Sequence, residues 1–262
     1  MTGRAPMKNQ RIFPALALTL ILAAHPASAN EGIEPHGPES GWPQAGMTGT
    51  FDRASLQRGF QVYKEVCAAC HSMRLLSYRN LTEIGFTADQ VKAIASAYQV
   101  PDAPDDQGEI HQRAALPSDR FVKPYPNEQA ARAANNGALP PDLSLIVKAR
   151  HGGEDYVYSL LTGYKEPPPG VALMQGMAYN EYFPGHQLAM SAPLVTDGQV
   201  TYADGTKATV PQMAQDATAF LAWAAEPKLE VRKQTGLKVM IYLLVFAAVM
   251  FAVKKRVWRK LH

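Results

Sequence analysis

The chain's only two cysteines stand three residues apart and are followed at once by a histidine, in Cys67-Ala68-Ala69-Cys70-His71. With both cysteines in one turn of chain, no disulfide framework can staple distant segments together. A structural zinc site needs four ligands, and no second cysteine pair exists to supply them. A thioredoxin-like pair needs a strand-to-helix setting, but here a helical pattern precedes the motif. A disulfide within the motif would leave His71 unexplained. The spacing is that of covalent c-type haem attachment. Two thiols three apart reach the two vinyl groups along one haem edge as thioethers, and the adjacent histidine falls beneath the iron. Cys67 and Cys70 are therefore read as the attachment points of one haem c, and His71 as an axial iron ligand.

Such attachment takes place on the exported side of a membrane, and both ends of the chain carry membrane signals. Arg4, Lys8 and Arg11 precede an apolar run from Ile12 to Ala24, and Ala27-Ser28-Ala29 is a small-x-small cleavage pattern. Residues 1–29 are read as a signal peptide. Leu237 to Val253 is apolar except for Lys238. Its length of about 26 Å as a helix suffices for a span with help from its flanks. Lys254, Lys255, Arg256, Arg259 and Lys260 follow, with Trp258 among them. A basic cluster after the span marks a cytoplasmic end. The expected order is a periplasmic domain over 30–230, a linker and transmembrane helix over 231–253, and a basic cytoplasmic tail over 254–262, in a bacterial inner membrane.

The net charge of +3 conceals an acidic body, since residues 30–230 carry −8 while both ends are purely basic. Phosphate binding needs a basic face, so nucleic acid is not an expected partner. Within the body, Asp52 can cap a helix from Arg53 to Val66 with Leu56, Phe60 and Tyr63 on one face. Further helices are expected over 88–98, Glu128–Asn135 and 153–162. Another is expected from Thr209 and Pro211 through Ala225, stopped by Pro227. Residues 99–110 read as an acidic loop, and 165–193 as mostly irregular. Asp197-Gly198 and Asp204-Gly205 suggest a small hairpin over Val195–Thr206.

A haem with one open iron position binds gases or peroxide; a second axial ligand makes it an electron carrier. Methionine in that place raises the reduction potential. Met174, Met177, Met190 and Met213 follow the motif at suitable distance, with His186 as a competitor. Met213 falls in the first turn of the last predicted helix of the body, where core packing explains it. Met190 lies in the irregular run Leu188 to Pro193, and a loop can carry a side chain over a haem face.

Several blocks occur in an order that resembles the cytochrome c1 family. They are Arg58 to Tyr63, the Cys67–His71 motif, Lys123 to Asn127, Ala130 to Ser144, Ala149 to Tyr156, and Trp223 to Pro227. The resemblance implies a mainly α fold: an enlarged class I cytochrome c-like domain with long loops and a small β-hairpin, plus one C-terminal transmembrane helix. It implies that Met190 is the second axial ligand, although Ala192 stands where relatives commonly carry the first of two prolines. It implies that Arg150 pairs with a haem propionate, and that the Pro140-Pro141 loop supplies the carbonyl that accepts the axial histidine's other N–H. Tyr63, Tyr125 and Tyr156 suit the wall of a haem pocket or ordinary core packing. The implied role is one-electron transfer from a Rieske iron–sulfur protein to a cytochrome c, beside cytochrome b in a quinol–cytochrome c oxidoreductase. On that reading the chain is not an enzyme on its own. Two rivals are the anchored cytochrome subunit of a terminal oxidase and a haem sensor or peroxidase with an open iron position.

Overall fold

The computed structural model describes residues 33–259; the expected signal peptide and the last residues of the basic tail lie outside that range. After an extended arm, helix α1 spans Arg53–Glu65 and runs into a 3₁₀ turn at Cys67–Ala69. A second 3₁₀ segment, Tyr78–Ile84, precedes α2 (Ala88–Ser96). Strands β1 (Gln99–Pro101) and β2 (Gln112–Ala114) pair antiparallel, with Gln99 opposite Ala114 and Pro101 opposite Gln112. Helices α3 (Glu128–Ala134) and α4 (Gly153–Thr162) follow, then a second short antiparallel pair, β3 (Ala178–Tyr179) with β4 (Gln187–Leu188). Helix α5 (Val210–Ala225) closes the domain and α6 (Leu229–Trp258) leaves it. The fold is mainly helical, as expected.

The core is the packing of α1 and α4 against α5. The Asp52 carboxylate caps α1 by accepting from the Ala54 N–H at 2.9 Å. Leu56, Phe60 and Tyr63 are buried at i, i+4 and i+7. Thr209 caps α5 and Pro211 sits in its first turn, where a missing N–H costs nothing. The two helices approach so closely that a Cβ on Gly59 would lie 2.0 Å from the Asp216 carbonyl oxygen and 2.7 Å from the Phe220 Cβ. Beside this contact lies a buried charge network. Asp216, fully buried, accepts from Ser55 Oγ at 2.6 Å and from Arg58 at 2.8 and 3.0 Å. Arg58 also reaches Asp204 at 2.9 Å. The Asp216 hydrogen bond raises the Arg58 pKa above its ordinary value although burial opposes it.

The hairpin expected over Val195–Thr206 is not formed; the two turns are present, but no strand joins them. Side chains there take the backbone groups that a ladder would use. Asp197 accepts from the Val210 N–H, Asp204 from the Thr206 N–H, and Gln199 bonds both the Val195 N–H and the Pro193 carbonyl. The paired strands lie elsewhere, and β1–β2 ties together the ends of the acidic loop. Helix α6 is the one helix among the described residues long and apolar enough to cross a membrane, and from Leu237 to Trp258 it is exposed on all sides.

Candidate functional site

The motif grows directly out of α1. The Val66 N–H still bonds back to the Val62 carbonyl at 2.9 Å, and the N–H groups of Cys70 and His71 then both reach the Cys67 carbonyl, at 3.1 and 2.9 Å. This tight turn brings both sulfurs and the imidazole to one end of the helix. Cys67 and Cys70 are free thiols. Burial and the neighbouring Cys70 push the Cys67 thiol up to about 12.

His71 is oriented from outside the motif. Its Nδ1 lies 2.8 Å from the Pro141 carbonyl oxygen, the partner expected from the Pro140-Pro141 loop. A carbonyl only accepts, so Nδ1 carries the proton and Nε2 keeps its lone pair. Burial lowers the His71 pKa, against the Pro141 hydrogen bond and the nearby Asp142, which favours a neutral ring. Asp142 fastens this loop to the motif: it accepts from Ser72 Oγ at 2.8 Å and the Arg74 N–H at 2.9 Å, and the Leu143 N–H donates to the Ser72 carbonyl at 2.8 Å. Burial alone would raise the Asp142 carboxyl; hydrogen bonds from Ser144, Arg74 and Ser72 hold it below the usual carboxylate range. Asp142 was missed in the sequence, although it follows the two prolines that were singled out.

A cleft of about 180 Å³ opens beside this junction, lined by Arg74, Leu75, Pro141, Asp142, Leu145 and Arg150 among others. Arg150 thus shares a cleft with the residue that orients His71. Its guanidinium donates to the Ala149 carbonyl at 3.0 Å and lies beside the Tyr156 phenol. Tyr63 is buried and its hydroxyl reaches the His71 carbonyl at 3.4 Å, so it belongs to the site. Tyr125 instead accepts from Asn135 at the end of α3.

Met190 is half-buried, and its carbonyl accepts from Tyr164 Oη at 3.1 Å. The segment before it hangs on the buried Asn180. That side chain donates to the Leu160 carbonyl at 2.8 Å and accepts from the Tyr182 and Phe183 N–H groups at 3.0 and 3.2 Å. Of the other methionines, Met213 is fully buried in the core, and Met174 is 61% exposed. The His186 ring stacks on Tyr179 at 5.5 Å with Nδ1 3.2 Å from the Asn180 carbonyl oxygen. Neither Asn180 nor Tyr164 carried a signal in the sequence, because a polar residue in an irregular run has no period to betray its burial.

The model of the Cytochrome C1 family matches residues 42–261. The chain belongs to the cytochrome c1 family. It is 53% identical to the cytochrome c1, heme protein, mitochondrial, of Saccharomyces cerevisiae, over 88% of this chain and 74% of that protein. It is 51% identical to cytochrome c1-2, heme protein, mitochondrial, of Solanum tuberosum, over 88% of each. Cytochrome b/c1 of Bradyrhizobium diazoefficiens is 45% identical over 97% of this chain, which spans only 41% of that longer protein.

Proposed function

We propose that the chain is the electron-carrying subunit of a quinol–cytochrome c oxidoreductase. Cys67 and Cys70 would hold one haem c covalently, and His71 and Met190 would ligate its iron. The observation that carries this reading is the Nδ1–H bond of His71 to the Pro141 carbonyl, which leaves Nε2 free for a metal. The donor set fits the group: two unpaired thiols, one correctly protonated imidazole and a thioether in a loop. Bound there, haem c supplies one-electron exchange at a high potential set by histidine and methionine. The chain's own residues bind and orient it. Asp142 and Pro141 fix the His71 ring, Tyr164 holds the Met190 backbone, and Arg150 pairs with a propionate from the cleft it lines. The relatives named as heme proteins support the cofactor.

The Rieske protein as donor, a mobile cytochrome c as acceptor and cytochrome b as neighbour complete the reading. The Candida albicans relative named as the catalytic subunit of a cytochrome b-c1 complex supports a place in such a complex. Quinol oxidation belongs to the partner subunits, not to this chain. Residues 1–29 serve export, 30–230 stand in the periplasm, 231–253 link and cross the inner membrane, and 254–262 face the cytoplasm. The −8 charge of the body suits an acceptor with a basic face and steers its approach over about a Debye length.

The test uses the protein purified from membranes. Haem is expected to stay on the chain through denaturing acid extraction, and Met190→Leu to lower the potential and open the iron to carbon monoxide. Complete release of haem overturns the attachment; an unchanged potential with no carbon monoxide binding in Met190→Leu moves the ligand elsewhere. Co-purification with cytochrome b and a Rieske protein separates this role from a terminal oxidase subunit.

A further inference from the structure

We propose that the joint between the globular domain and α6 is a clamp that fixes the domain's stance over the membrane, with Glu230 and Lys233 as its positioning residues. The inference rests on the reading of α6 as a membrane anchor. Helix α5 ends at Ala225, Pro227 bars its continuation, and α6 begins at Leu229, so only Glu226, Pro227 and Lys228 join the two. A free three-residue joint would swivel. Here it is held from several sides at once.

Glu226 pairs with Lys148 at 3.0 Å and with Arg232 across the joint. Glu230 accepts from the Phe51 N–H at 2.8 Å and from Arg53 at 2.7 Å. Lys233 donates to the Gln44 carbonyl and, at 3.2 Å, to the Gly49 carbonyl. Glu230 and Lys233 stand three apart on α6, on one stripe of the helix, and Glu226 closes on Arg232 from the joint before it. Leu229 packs against the core beside them. The charged stripe ends before Leu237, where the apolar stretch begins.

The receiving surface is built for this contact. The loop over residues 43–50 folds on itself, with the Ala45 N–H on the Trp42 carbonyl at 2.9 Å and the Thr50 N–H on the Pro43 carbonyl at 3.1 Å. A Cβ on Gly49 would fall 1.9 Å from the Ala45 carbonyl oxygen, so the loop closes only with glycine there. Its Gln44 and Gly49 carbonyls converge on one ammonium, which has three protons to give. The loop is in turn fastened to α4, by Trp42 Nε1 on Asp155 at 2.6 Å and Gln44 Nε2 on Glu154 at 3.0 Å. Glu230 meets Phe51, one residue before the cap of the helix that leads to Cys67. The clamp therefore reaches α1, which leads to the motif, and α4, which packs with it on α5. The domain and its anchor move as one body, and redox partners must come to a site whose height and tilt are set.

Amide hydrogen exchange on the full, haem-loaded chain in its native complex, held in lipid nanodiscs, tests this. Lys233→Met and Gly49→Ala strike the clamp from opposite sides. Each is expected to speed exchange about tenfold in both residues 43–50 and 229–236. Exchange in α1 and the haem spectrum should stay as they are, and Lys233→Arg should restore protection. If either variant speeds only its own segment, or neither segment responds, the clamp is overturned. Carbonate extraction of the wild type separates the two readings. If the chain washes off the membrane while the two segments still respond together, the clamp stands and the anchor reading falls.

Discussion

The α1–α5 crossing and the segment from Tyr164 to Pro193 each bring a proposed iron ligand into place, and they do so by opposite means. At the crossing, backbone touches backbone through Gly59, apolar side chains fill the rest, and a buried carboxylate is fully paired. Cys67 and His71 follow from that rigid base within one turn. The second segment has only two residues of strand on each side and hangs on side-chain hydrogen bonds from Asn180 and Tyr164. Close packing tolerates no change of volume, whereas a hydrogen-bonded loop can lose one tie and keep the rest. The Cys67–His71 end of the proposed site is therefore set by the core, and the Met190 end can be altered without unfolding the protein.

Glycine substitutions break this comparison most sharply. In an ordinary helix Gly→Ala gains about 1 kcal/mol. At Gly59 the sign reverses, because the new methyl meets main-chain atoms that cannot step aside. Gly59→Ala is expected to cost more than about 4 kcal/mol, enough to abolish folding in a domain of ordinary stability. Gly185, in the second segment, also needs its glycine, with φ at +79°, but has open space around it. Gly185→Ala is expected to cost roughly 1–2 kcal/mol of backbone strain and no more. Circular dichroism, and urea unfolding of each variant that folds, check the contrast; equal losses would erase it.

Polar deletions give the next largest difference. Asp216→Ala leaves the Arg58 guanidinium facing a buried gap and is expected to cost about 3–5 kcal/mol in global stability. Asn180→Ala frees the Leu160 carbonyl and the Tyr182 and Phe183 N–H groups, at a cost of about 1–3 kcal/mol. Its effect should be felt first locally, as faster exchange over residues 178–188, with a shift in the urea midpoint well short of that of Asp216→Ala. A global loss as large as that of Asp216→Ala would show that the second segment is part of the core after all.

What could be read from the residues divides along the same line. The helices were legible because period and caps agree: Asp52, Leu56, Phe60 and Tyr63 for α1, Thr209 and Pro211 for α5. The Cys67–His71 turn was legible because its chemistry needs adjacent residues. Asp142, Asn180 and Tyr164 were not, since each acts on a backbone group distant in sequence. The Arg58–Asp216 pair spans 158 positions, and nothing in either neighbourhood announces the other. The misplaced hairpin has a related cause. Asp197 and Asp204 favour turns in sequence, but the same carboxylates then bond the backbone N–H groups of Val210 and Thr206. A turn signal does not say which partner the following residues will choose.

The smallest expected effect concerns a charge pair outside both regions, and it measures how much burial matters to the contrast. Arg113 holds Asp119 at 2.6 Å at the foot of the β1–β2 pair, and the same carboxylate accepts from the Leu116 N–H at 2.7 Å. The Arg113 hydrogen bond, then that of Leu116, lowers the Asp119 carboxyl to about 2 from an ordinary 3.8. A carboxyl depressed in the folded state stabilises it above the unfolded value and loses that contribution as pH falls through the folded one. The window is therefore about pH 4 down to pH 2. The pair is half-buried with water at its edge, so solvent screening discounts its worth. Acid titration of the wild type should loosen the β1–β2 amides across that window, ahead of any change in α1 or α5. Asp119→Asn should remove the pH dependence of those amides and leave the unfolding midpoint at neutral pH almost where it was. If Asp119→Asn instead lowers the midpoint as far as Asp216→Ala does, exposure does not discount the pair, and the division between a rigid buried crossing and adjustable surface ties fails.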